Sequence, residues 1–242
     1  MSQSKVQTRE KIVSLLVWTI GFATFIPFGL FIIIYTLLFD PKHIDPFLKA
    51  GCRFVMKAMF INIKVSGLEH VDPTKTYIFM ANHVNLFDGL VLYGHIPNFV
   101  RGVELETHFN WPFWGLIVKR IGNIPISRAG GRQALQSLDQ AKQRIADGTS
   151  IIILPEGTRT LTGELGEFKR GPFILAKGAG ADIVPMAMIN AYRIKRKGSS
   201  IIHPGTMELR FGAPIPYQEL KSLNTREMQR VVETRIGGLL GE

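Results

Sequence analysis

Apolar positions are unevenly spread along the chain. From Ile12 to Phe39 no side chain is charged. Wound as a straight helix, that run reaches about 42 Å at the helical rise per residue. The hydrocarbon core of a bilayer is roughly 30 Å thick, so the run predicts a membrane helix. It is longer than the apolar region of a secretory signal, and no small-x-small cleavage site follows it. Pro27 and Gly29 divide it. Proline kinks a helix, so two geometries fit the pattern: one tilted, kinked span, or a bent insertion that enters one leaflet and returns. The flanking cations do not orient it, because Lys5, Arg9 and Lys11 precede the run and Lys42, Lys49, Arg53 and Lys57 follow it.

The next segment, Pro46 to Ile61, has helical periodicity. Asp45 is placed to cap it, with Pro46 at the first helical position. Lys49, Arg53 and Lys57 form one basic stripe, and Phe47, Phe54, Val55, Ala58 and Met59 fall away from it. That division suits an interfacial helix among anionic head groups. The same periodicity suits a surface helix packed on a domain.

After about Asn62 short apolar runs alternate with amphipathic stretches. Ile63–Val65, Tyr77–Ala81, Ser150–Leu154, Ile183–Ile189 and Met207–Phe211 predict strands. Leu86–Tyr93, Trp114–Arg120, Arg132–Asp147, Pro172–Lys177 and Thr225–Leu240 predict helices. The alternation predicts an α/β fold: a single catalytic domain with a mixed, partly parallel sheet flanked by helices. The expected organisation is residues 1–61 as membrane-anchoring helices and 62–242 as the domain. The basic run Arg193, Lys195, Arg196 and Lys197 follows a predicted strand, as a solvated loop or a second contact with anionic lipid.

Composition sharpens this picture. The 242 residues carry a formal charge of +10 but have a positive mean hydropathy of +0.14. A disordered basic tail is depleted of aromatics, whereas this chain has 16 Phe. The composition therefore argues against disorder and against a small basic nucleic-acid module. The single cysteine, Cys52, permits no internal disulfide and no cysteine-based zinc site, and fits a reducing compartment. The six histidines are too scattered for an evident metal cluster.

The chemistry concentrates in a few stretches. Asn82-His83-Val84-Asn85-Leu86-Phe87-Asp88 leaves one predicted strand and opens a helix. Histidine suits proton transfer near neutral pH. A carboxylate on its other nitrogen fixes the tautomer. On an unbroken helix positions i and i+5 diverge by about 140°. His83 and Asp88 meet only if a turn separates His83 from the helix. A second stretch, Pro155-Glu156-Gly157-Thr158-Arg159, follows an apolar strand. Glycine lets backbone approach a ligand, and arginine offers a fork for phosphate. Gly122 to Arg128 ends in another arginine, and Phe168-Lys169-Arg170 precedes a helix. There is no Gly-x-Ser-x-Gly nucleophile elbow, no phosphate-binding Walker loop and no His-Glu-x-x-His.

In this order His83-x4-Asp88, Gly122…Arg128, Glu156-Gly157-Thr158-Arg159 and Val184-Pro185 resemble the four blocks of the glycerolipid acyltransferase family. The resemblance is strongest to bacterial 1-acyl-sn-glycerol-3-phosphate acyltransferases and covers roughly residues 64–214. It implies transfer of a fatty acyl group to the 2-hydroxyl of lysophosphatidate, giving phosphatidate. His83 and Asp88 are then the catalytic pair. Arg128, Glu156, Gly157, Thr158, Arg159 and Lys169 serve the acyl acceptor. Acyl-CoA or acyl carrier protein is the co-substrate, and no cofactor or metal is expected. The implied location is a membrane, the inner membrane in a bacterium, with the domain facing the cytoplasm. The partners are then membrane lipids and not nucleic acid.

Two departures stand out. Ser127 occupies a position where many relatives carry Asp, and Gly102, beside Arg101, one where many carry Lys. They leave open another acceptor, such as a lysophospholipid or a lyso-ornithine lipid. A catalytically silent membrane-binding scaffold is disfavoured by the intact His83, Asp88 and Arg159 set.

Overall fold

The computed structural model describes residues 3–127 and 131–241. The first helix, α1, runs from Gln3 to Leu38 and passes through Pro27 without turning back. Of the two geometries the pattern allowed, the single helix is therefore the one present. Residues 7–38 are long and apolar enough to cross a membrane. Leu15, Leu16, Phe22, Leu30, Ile34 and Leu37 are among its exposed side chains. Apolar surface of this extent marks an association site. The opposite face packs inward at glycine: a methyl group on Gly29 would lie 2.5 Å from Phe113 Cζ.

The second helix, α2, spans Asp45–Ala58. Its N-cap is Ile44, and Asp45 is the first helical residue. The Asp45 carboxylate pairs with Lys49 at 2.8 Å and Arg101 at 3.2 Å. The basic stripe does not face outward as a unit. Lys49 Nζ donates to the carbonyls of Pro97 and Asn98, and Arg53 donates to Gly94 O at the end of the next helix. Cations near a helix C-terminus meet carbonyls with no intrahelical partner. Phe47 and Phe54 are exposed instead.

The remaining elements alternate. They are β1 Ile61–Ser66, β2 Tyr77–Ala81, α3 Asp88–His95, β3 Val100–Leu105, α4 Trp114–Ile121, β4 Ile124–Ile126, α5 Gly131–Ala146 and β5 Ser150–Ile153. Then come α6 Gly171–Ala179, β6 Asp182–Ile189, α7 Ala191–Ile194, β7 Gly205–Phe211, α8 Tyr217–Leu220 and α9 Thr225–Leu240. Among the described residues the seven strands form one sheet in the order β1-β7-β6-β2-β5-β3-β4. Only the β6–β7 pair is antiparallel.

The central strand β2 is buried at every position, as a parallel strand covered on both faces must be. Its side chains alternate between two cores. Tyr77, Phe79 and Ala81 join the cluster containing Val17, Ile32, Leu48, Cys52 and Leu92, from α1, α2 and α3. Ile78 and Met80 join the cluster containing Ala141, Phe173 and Val232, from α5, α6 and α9. The N-terminal helices thus share a core with the sheet.

Two strands escape the hydrophobic pattern, and each has a physical reason. β3 carries Arg101 at a position that is 2% exposed. Its guanidinium is neutralised by Asp45, far away in sequence. β4 is three residues long with Pro125 at its centre, tolerated because β4 is an edge strand.

Candidate active site

β2 lies between β5 and β6, parallel to both. Their carboxyl ends therefore reach the same edge of the sheet, where open α/β folds bind ligands. Asn82 extends the β2–β6 pairing with its side chain: Nδ2 donates to Met188 O and Oδ1 accepts from Met188 N. That fixes the exit direction of the chain one residue before His83.

A turn stitched by side chains follows. Asn85 Oδ1 accepts from Phe87 N at 2.8 Å, an Asx-turn. Asn85 Nδ2 donates to Ala191 O, tying the turn to α7. The Asp88 carboxylate reaches back from the first residue of α3 and accepts from the amides of Val84 and Asn85. His83 Nδ1 then lies 2.7 Å from Asp88 Oδ2. The expected helix start at Leu86 is displaced to Asp88, and that displacement lets the pair meet. Asp88 is 1% exposed, whereas the His83 side chain keeps 23% of its surface. Asp88 accepts from three N–H groups, so it holds the tautomer with the proton on Nδ1. The lone pair is thereby left on Nε2.

The Leu154–Thr160 loop brackets His83 from the end of β5. Glu156 Oε1 accepts from His83 N at 2.6 Å, and Thr160 N donates to His83 O at 2.9 Å. Glu156 Oε2 accepts from Gly166 N at 3.0 Å. Both carboxylate oxygens are thus engaged by backbone, and the residue is 3% exposed. Burial first of all raises the Glu156 pKa above the usual carboxylate range, against the two amide hydrogen bonds that lower it. Gly157 adopts φ +66°, a conformation that favours glycine. Lys169 joins the same loop: its amide donates to Pro155 O, and its Cγ would lie 3.5 Å from a methyl group on Gly157. Thr158 is exposed, and its Oγ1 accepts from Lys197 Nζ at 2.9 Å. Arg159 is partly buried, with its carbonyl also accepting from Lys197. Arg128 lies outside the described residues.

Sequence reasoning missed several supporting groups. Asn82 and Asn85 carried an Asx signal that was legible in principle. Lys197 belongs to the basic run, which by itself names no partner for it, and Trp18 carried no signal. Trp18 Nε1 donates to Ser200 O, and its ring lies 6.0 Å from that of Phe87. Ser14 Oγ accepts from Ile202 N at 2.9 Å. The apolar helix therefore holds both the basic loop and the turn after His83. Arg101, beside Gly102, is committed to Asp45 and the carbonyls of Val100 and Pro41. Ser127 Oγ donates to Glu106 at 2.7 Å. Among the described residues no cluster of His, Cys, Asp and Glu suits a metal ion. Cys52 is buried, and its thiol pKa is pushed up to about 12, mainly by that burial, so it is a packing group.

A histidine held by a buried carboxylate stands at the carboxyl edge of a mostly parallel sheet, an arrangement suited to proton transfer. The sequence profile of the acyltransferase family matches residues 62–189, which contain that site. The chain belongs to the acyltransferase family. It is 30% identical to the 1-acyl-sn-glycerol-3-phosphate acyltransferase of Pseudomonas aeruginosa, over 76% of this chain and 74% of that one. It is 26% identical to the chloroplastic 1-acyl-sn-glycerol-3-phosphate acyltransferase of Arabidopsis thaliana, over 83% of this chain and 57% of that one. The chain spans about half the length of several curated relatives it matches. The crystal structure of the 1-acyl-sn-glycerophosphate acyltransferase of Thermotoga maritima has the same fold. Its TM-score is 0.82 at 20% identity, covering 96% of this chain and 95% of that one.

Proposed function

We propose that the protein transfers a fatty acyl group from acyl-CoA or acyl carrier protein to the 2-hydroxyl of 1-acyl-sn-glycerol 3-phosphate, forming phosphatidate. The observation that carries the reading is the 2.7 Å contact between His83 Nδ1 and the buried Asp88 carboxylate, inside the family match. His83 Nε2 takes the hydroxyl proton as the oxygen attacks the thioester carbonyl. The carbon–sulfur bond then breaks, and His83 returns the proton to the leaving thiolate. Asp88 orients His83 and stabilises its imidazolium. Arg128, Arg159 and Lys169 serve the acceptor phosphate. Gly157 and Thr158 shape that loop. Glu156 acts through backbone, holding His83 in place. Residues 1–61 attach the protein to the membrane, the inner membrane in a bacterium, and 62–242 carry the chemistry on its cytoplasmic side.

The test is a panel of acceptors with a saturating acyl donor, using the full chain in mixed micelles. Lysophosphatidate is expected to be the best acceptor. A preference for a lysophospholipid or lyso-ornithine lipid lacking a terminal phosphomonoester would overturn the acceptor assignment.

Glu156 supplies a separate expectation. Glu156→Ala leaves the amides of His83 and Gly166 unpaired in a buried place, each costing about 1–3 kcal/mol. The expected result is a lower unfolding temperature together with reduced kcat. A pH series of unfolding gives the sign. A carboxyl whose folded pKa is raised contributes stability that is complete below its unfolded value of about 4.3 and is lost as pH rises through the folded value. The wild type should therefore lose stability relative to Glu156→Gln as pH rises from about 4 toward neutrality. A constant difference between the two would contradict the burial argument.

A further inference from the structure

The buried guanidinium of Arg101 is given a carboxylate. Arg101 and Lys49 share Asp45. Beside His83 the pattern is reversed. Among the described residues neither Arg159, Lys169, Lys195 nor Lys197 forms an ion pair. Lys195 is 6% exposed, yet its ammonium donates only to the carbonyls of Arg196 and Ser199. Burial, and next the charge of Arg159, push its pKa below the usual lysine range. Lys197 donates to Thr158 Oγ1 at 2.9 Å and to Arg159 O at 3.2 Å. An ammonium has three donors, so each lysine keeps one N–H after these bonds. A buried cation without a counter-charge is costly. Its persistence at a strand-end loop marks a place where an anion belongs.

We propose that Lys197, together with Lys195, completes a phosphate-binding site at the Thr158–Arg159 loop. The basic run after β6 is then neither a solvated loop nor a lipid contact but part of the substrate site. Lys197 supplies an N–H to the phosphate, and Lys195 supplies field from behind the loop. The loop also positions His83, through Glu156 and Thr160. Phosphate binding and the general base therefore share one support. The phosphate is either the acceptor's phosphomonoester or one of the phosphates of a coenzyme A donor. Which of these it is rests on the proposed reaction; the site itself does not.

The first experiment needs no turnover. Wild-type protein is treated with an amine-modifying reagent, and labelling of Lys197 is read by mass spectrometry. The protectants are inorganic phosphate, lysophosphatidate, coenzyme A and the phosphate-free monoacylglycerol. Protection by at least one phosphate compound and none by monoacylglycerol is expected. Equal labelling in all cases overturns the site. The second experiment varies acceptor and donor separately in Lys197→Met and Lys197→Arg. Lys197→Met should raise one KM about tenfold or more, as loss of a charged hydrogen bond does. Lys197→Arg should largely restore it. A rise for lysophosphatidate assigns the acceptor phosphate, and a rise for acyl-CoA the donor. A fall in kcat with both KM values unchanged leaves Lys197 a purely structural strut and overturns the proposal. If wild-type protein acylates no lysophosphatidate, the proposed reaction fails while the labelling still judges the site.

Discussion

Replacing His83 with alanine is expected to lower kcat for acyl transfer by about 10²–10⁴-fold, the range typical of a lost general base. The fold should survive. The His83 side chain is partly exposed, and its contacts with Glu156 and Thr160 run through backbone that alanine retains. The unfolding temperature should therefore change little, and KM for both substrates should stay within a few fold. Activity near wild type in a folded His83→Ala protein would remove the proposed mechanism. Exogenous imidazole adds a further readout, because partial recovery would show that the missing group is the base.

Asp88→Asn should lose a comparable factor in kcat, but for a different reason and with a stability cost. The carboxylate accepts from His83 Nδ1, Val84 N and Asn85 N. An asparagine offers one oxygen and one NH2 group. In either orientation its NH2 faces a donor. If the NH2 takes the Oδ2 place, it faces His83 Nδ1 and Val84 N together; it then selects the tautomer with the proton on Nε2, which cannot act as base, and leaves a buried amide without its acceptor at about 1–3 kcal/mol. If the oxygen takes the Oδ2 place, it keeps His83, Val84 N and Asn85 N, but the NH2 in the Oδ1 place is set against the Asn85 amide and the imidazolium loses its counter-charge. The expected result is a clear drop in unfolding temperature together with the kinetic loss. Wild-type stability with full activity would show that the Asp88 hydrogen bonds set neither the turn nor the tautomer.

The two variants separate contributions that the motif merges. In the proposed reaction His83 performs chemistry with its side chain, and it joins the scaffold with its backbone. Asp88 does both with one carboxylate. Their different stability signatures follow from burial: 1% exposure for Asp88 against 23% for the imidazole.

Much of this was legible in the sequence because it is local. The uncharged run Ile12–Phe39 foretold α1, and the apolar stretches foretold β2, β5 and β6. The boundaries of α9 were predicted to the residue, where Asn224 and Glu227 form a capping box. The ordered blocks identified the family. Interactions between distant segments were not legible. The stripe Lys49–Arg53–Lys57 looked outward on a helical wheel. It took the placement of α3 to turn Lys49 and Arg53 onto backbone carbonyls. Arg101 concealed β3 because nothing local announces that Asp45 will neutralise it.

The same division runs through the candidate site. By itself the sequence determined which residues are candidates for the chemistry, since periodicity, turn chemistry and block order are properties of short segments. Only the tertiary structure decided what each of them faces. Parallel pairing of β2 with β5 and β6 brings the 154–160 loop around His83. It turns Glu156 onto backbone amides and sets Lys197 against Thr158 and Arg159. Those contacts join residues tens of positions apart. They are fixed by strand order and register, which a linear pattern of apolar and polar positions does not encode.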